Sequence, residues 1–138
     1  MASIQQLAEA LRSRLSEDFS EIRFSSATSI KQLAEESAAL PEGSLPALLI
    51  AAGSGSFSQD ALTREIQFSI LLVDRFRMTQ EDRQISVWQA LETLLGSFAA
   101  AGTLLGDAVV LPVRFDAVKT DAEHAAFLLK LKTFHPAE

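Results

Sequence analysis

The chain has no cysteine, no tyrosine, two histidines and a single tryptophan. Without cysteine there is no disulfide, and the absence fits a reducing compartment. A metal site would have to be built from His124, His135 and carboxylates, and neither a His-Glu-x-x-His pattern nor a facial triad is present. The lack of tyrosine removes one common acid and hydrogen-bonding anchor. Long apolar runs are lacking as well. Stretches such as Leu45 to Ala52 fall far short of the ~20 residues that span a bilayer. The first helix-like segment carries Glu9, Arg12, Arg14 and Glu17, so it is not a signal-peptide core, and the expected location is the cytoplasm.

Basic charge is scarce. Lys and Arg number 12 against 18 Asp and Glu, a net charge of -6 and a pI near 4.9. Sequence-independent nucleic-acid binding runs on clustered Lys and Arg, so that class is disfavoured, as is binding to an anionic membrane. The acidic residues are spread along the chain, which reads as a solvated surface and not as a tail.

What is present is the material of a core. The 138 residues, 48% of them hydrophobic, suit one domain able to bury roughly two thirds of its unfolded surface. Ile4, Leu7, Ala8, Leu11 and Leu15 repeat at helical spacing behind a Ser3/Gln6 capping box, which predicts a helix over 3–18. A weak alternation from Phe19 to Phe24 suggests a short strand. Ile30, Leu33, Ala34 and Ala38 suggest a second helix over 29–40, closed by the turn residues 41–44.

Leu45 to Ala52 reads as a strand buried on both faces, with Pro46 near its start, and Gly53-Ser54-Gly55-Ser56 as the connector after it. Residues 62–75 read as a long strand. Ile66, Phe68, Ile70 and Leu72 lie on one face; the other passes from Glu65, Gln67 and Ser69 to Leu71 and Val73, as if only partly covered by a helix or a neighbouring subunit. Thr79 with Asp82 signals a helix start. Ile85, Trp88, Leu91, Leu95 and Phe98 then form a stripe, widened by Val87 and Leu94, with Trp88 as its core anchor and Gly102 as a stop.

The remainder predicts a hairpin, 109–116 against 125–133, turning at Lys119-Thr120-Asp121. Val109, Leu111, Val113 and Phe115 share one face of its first arm. Pro112 marks that arm as an edge strand or a bulged one, and such an edge invites another chain to pair with it. The expected class is α+β: a mostly antiparallel sheet of separate hairpins, with two to three helices packed on one face.

No catalytic constellation emerges. The Gly53–Ser56 stretch lacks the Gly-Lys-Ser/Thr ending of a phosphate loop, and no Gly-x-Ser-x-Gly elbow exists. Glu35-Glu36 and Glu81-Asp82 are adjacent in sequence and so do not share a helical face. No cofactor is expected, and the chain reads as a non-enzyme. The feature that stands out is Arg75-Phe76-Arg77-Met78 with Arg83, where basic and large apolar side chains meet in one loop of an acidic protein. Arg and aromatic residues are enriched at interfaces, so this loop is a candidate docking site. The bland alternative is a connection whose arginines pair with Asp74, Glu81 and Asp82.

The pattern resembles the small minor tail proteins of Mu-like phages and prophages, and more distantly the lambda-type tail terminators. The segments that carry it are Leu45 to Ile50, Arg64 to Val73, Val87 to Gly96 and Ala125 to Leu131. The resemblance implies an α+β subunit forming a six-fold ring at the head-proximal end of a tail tube. Its partners would be its own copies, the tube protein and the head-tail connector, first in the bacterial cytoplasm and finally in the virion tail. It brings no catalytic residues. Ring contacts would fall on 53–60, 75–83 and the 109–134 hairpin, with Phe57, Arg64, Arg75, Phe76, Arg77 and Arg83 as interface residues.

Two other readings stand beside it. Residues 19–134 can be parsed as a ferredoxin-like ligand-binding or regulatory module. A small thioesterase-like enzyme could work with one carboxylate, Asp74 or Asp116.

Overall fold

The computed structural model describes residues 4–57, 63–76, 85–98, 103–105, 108–118 and 123–136. Helix α1 (Ile4–Leu15) buries Leu7, Leu11 and Leu15, the repeat that specified it. Arg12 and Arg14 occupy its last turn, where cations favour the helix dipole. Arg14 also donates from Nε (3.0 Å) and Nη2 (2.8 Å) to the carbonyl of Ser97, tying this end of α1 to a distant segment. Ser3, Thr79, Asp82, Gly102 and the 119–121 turn lie outside the described residues.

Strand β1 (Glu21–Ser25) leads into α2 (Ile30–Ala38), which Ser29 caps by accepting the Gln32 N–H on its hydroxyl. A single 3-10 turn (Glu42–Ser44) and a cis Leu45-Pro46 bond precede β2 (Ala47–Phe57). Next come β3 (Thr63–Arg75), α3 (Ser86–Gly96), the short β4 (Thr103–Leu105), β5 (Ala108–Val118) and β6 (His124–Pro136).

The strands form one six-stranded sheet in the order β1-β2-β3-β6-β5-β4. The class is α+β as expected, with antiparallel pairing throughout except between β1 and β2, which run parallel. That exception corrects the expectation of separate hairpins. α2 is the crossover between two adjacent parallel strands, a β-α-β unit. The ferredoxin-like reading requires a split unit, with another strand between its parallel pair, and here β1 and β2 are direct neighbours.

A second correction concerns the layers. Helices cover both faces of the sheet, not one. On one face, Leu7, Leu11 and Leu15 of α1 and Leu91 and Leu94 of α3 pack with Leu48, Ile50, Phe68, Ile70 and Leu72. On the other, Leu33 of α2 packs with Ala47, Leu49, Ala51, Leu71, Val73 and Leu128. The run from Ala47 to Ala51 is therefore buried on both sides, as its unbroken apolar composition required. The cover is partial, as β3 implied. α2 lies over the Leu71/Val73 end, while Glu65, Gln67 and Ser69 share the same face only half-buried.

The glycine-rich stretch is not a connector. β2 continues through it to Phe57, and its register with β3 slips between Ala52 and Gly55, the mark of a bulge. Glycine is required there because a Cβ on Gly55 would lie 2.5 Å from the Glu65 carbonyl oxygen. A second bulge interrupts β5, where Pro112 opposes Leu131 and Arg114 opposes Lys130, leaving Val113 as the extra residue. The simple alternation expected for this arm therefore breaks. Val110 and Phe115, opposite Thr133 and Leu129, fall on the same face.

Candidate functional site

Several segments converge at the end of the sheet where β3 finishes and β6 begins. Arg75 stands opposite His124 in register, and the Phe76 N–H extends the pairing by donating to the Glu123 carbonyl (2.8 Å). The Ser86 hydroxyl donates to the Arg75 carbonyl (3.3 Å), fixing the start of α3 beside the end of β3. Alternation sends Arg75 and His124 to the α2 face, with Val73 and Ala126. There the carboxylate of Glu42, from the 3-10 turn, accepts from Arg75 Nε and meets His124 Nε2 at 2.5 Å. The Arg75 guanidinium, and secondarily the His124 imidazole, hold the Glu42 carboxyl below the ordinary carboxylate range.

At the same end of the sheet, but on the opposite face, where α3 packs, lie two large aromatic rings. Phe76 is 50% exposed and Trp88 52%, and they meet edge to face with centroids 6.1 Å apart and planes at 80°. Trp88 is not the core anchor of α3. The buried positions are Val87, Leu91 and Leu94, continued by Phe98 just past the helix end, and Trp88 sits one residue off that line. Rotating the stripe by one position, about 100°, carries the largest side chain of the chain out to solvent. The residues 85-88-91-95-98 trace a plausible face only because α3 is apolar over more than half its circumference.

Of the expected interface residues, the structure places Arg75 and Phe76 at this end of the sheet, on opposite faces, and Phe57 and Arg64 elsewhere. Those two oppose each other across β2 and β3, at the far end of β3. Eleven steps of ~3.3 Å put them roughly 36 Å from Arg75 along the strand. Arg77 and Arg83 lie outside the described residues. Arg75 pairs with Glu42, not with its neighbour Asp74. The sequence pattern assigned Trp88 to the core, offered His124 only as a metal ligand and gave no role to Glu42. The stripe Val87-Leu91-Leu94-Phe98 was the available signal for Trp88. Glu42 and His124 meet across 82 residues of chain, and nothing local announces them.

The two alternative carboxylates of the enzyme reading lie on opposite faces of the sheet. Asp74 is 3% exposed, accepts the Arg75 N–H (2.8 Å) and alternates away from the α2 face. Asp116 opposes Leu128, on the α2 face, and is engaged by Arg114. Among the described residues, no group of three or more His, Asp or Glu side chains is placed to hold a metal ion, and no helix is long and apolar enough to cross a membrane. The arrangement can bind through apolar and charged surface: at one end of the sheet, a half-exposed aromatic pair on the α3 side and a hydrogen-bonded charge cluster on the α2 side. In comparisons with known proteins, no family model matches the chain and no curated protein matches it.

Proposed function

We propose that this chain is a structural subunit of a phage or prophage tail, a ring-forming terminator, completion or minor tail protein at the end of the tail tube. The observation that carries the reading is the Phe76–Trp88 pair, two large rings left half in water on the α3 side of the sheet end that carries Arg75 on its other face. Aromatic and arginine side chains dominate the energy of protein interfaces when a partner desolvates them. The hydrophobic segments that resemble tail proteins supply the kind of partner: identical copies, then the tube and the head-tail connector.

The mechanism is geometric. A patch that docks onto a different surface of the next copy is a heterologous contact, and it closes into a ring when the rotation is right. The closed ring offers one face to the tube and no surface that accepts a further tube ring. Native mass spectrometry across a concentration series, with and without purified tail tubes, tests this. The expected result is a six-subunit species, free or bound at one tube end. A monomer that ignores the tubes contradicts it.

A further inference from the structure

β4 covers only the start of β5: its three residues pair with Ala108, Val109 and Val110. From Leu111 to Val118, no described strand lies on the outer side of β5. Such an edge carries outward N–H and C=O groups able to pair with another chain. Proline and a bulge are devices that blunt edges, and here both sit at the beginning, at Pro112 and Val113. Beyond them Arg114 to Val118 keep an uninterrupted register with β6. Val113 and Phe115 are each 49% exposed.

We propose that this edge pairs with the same edge of a second copy, antiparallel and two-fold, centred on Phe115. The charges choose the partner and the register. A two-fold axis normal to the sheet must keep each side chain on its own face, so the centre must be a residue opposing its own copy. Centring on Arg114 sets two guanidinium groups against each other, and centring on Asp116 sets two carboxylates; like charges directly opposite destabilise a ladder. Centring on Phe115 sets Arg114 against Asp116 of the second copy, twice, and Phe115 against its own copy. Within one chain Arg114 Nε and Nη2 already grip Asp116 at 2.8 Å each, so both heads lie on one face and within reach. Two such pairs across the axis make a closed quartet of alternating sign. This interface is distinct from a ring contact made through Trp88: a ring closes through unlike surfaces, and this edge joins like with like.

Charge swapping tests it. Wild type is expected to show a concentration-dependent dimer by native mass spectrometry up to a few hundred micromolar. Asp116→Arg or Arg114→Asp alone places like charges across the axis and lowers the dimer fraction at least tenfold. The double variant R114D/D116R restores it, because the register again opposes unlike charges. In the cysteine-free background, Phe115→Cys is captured as a dimer by a short bis-thiol-reactive crosslinker, and Ala117→Cys, whose counterpart is Val113, is captured far less. A wild type that stays free of dimer, a dimer indifferent to the single swaps, or a double swap that fails to restore it overturns the proposal. Circular-dichroism melts of each variant separate lost pairing from lost fold.

Discussion

Glu42 lies in a one-turn 3-10 helix with its carboxylate between the Arg75 guanidinium and the His124 imidazole, so three segments remote in sequence meet at one acid. Its pKa is lower in the folded chain than in the unfolded one, through Arg75 first and His124 second. A group shifted that way contributes fully above its unfolded pKa, and its contribution is lost as pH falls through the folded value. Melting temperatures of wild type are therefore expected to decline into the acid range, and those of Glu42→Gln to decline less from a lower neutral starting point. Equal slopes would assign the acid sensitivity to other carboxylates. Gly55 and Gly43 make a second contrast. An added methyl at Gly55 runs into the Glu65 carbonyl, whereas at Gly43 it meets nothing within 4 Å. Gly55→Ala is expected to cost on the order of 1–3 kcal/mol in denaturant unfolding, the scale of overpacking. Gly43→Ala should unfold like wild type.

At the scale of elements, α3 shows what hydrophobic spacing can and cannot assign. The helix itself was legible, because apolar residues at i, i+3 and i+4 admit no strand. Its orientation was not, because Ile85, Val87, Trp88, Ala90, Leu91, Leu94 and Leu95 leave two neighbouring stripes to choose from. Packing against the sheet decided for Leu91 and Leu94, and Val87 is buried with them. Leu94→Ala should then destabilise by about 2–5 kcal/mol, as buried leucines do. Trp88→Ala should stay within ~0.5 kcal/mol, as for a surface position. Chemical denaturation of the two variants checks the order, and the reverse order would return Trp88 to the core. Of the strand expected to be buried on both faces over 45–52, residues 47–51 are so, because a parallel neighbour and a crossover helix leave them no polar side, while Ala52 is exposed. The glycines after it misled, since a bulge and a turn both call for glycine and only the register tells them apart. The side of the sheet that α2 takes depends on β1 running parallel to β2, which no local pattern in residues 19–40 encodes.

Across the whole molecule, the sheet separates residues that sequence proximity or chemical kind had grouped. Arg64 and Arg75 occupy opposite ends of β3, so they belong to different surfaces of a subunit. In a ring of heterologous contacts, that is where the two sides of one interface would be looked for. Arg75 is a poor probe of such contacts because charge reversal there also frees Glu42 and the turn that carries it. Trp88 is the better one, since its ring touches Phe76 and solvent at the surface of a helix that holds to the core by other residues. The most direct measurement is therefore native mass spectrometry of wild type and Trp88→Ala, each alone and with purified tail tubes. The account predicts a six-subunit species for wild type and its loss in Trp88→Ala, with an unchanged melt. A wild type that forms no ring under either condition, or a Trp88→Ala ring as abundant as the wild type's, would contradict it.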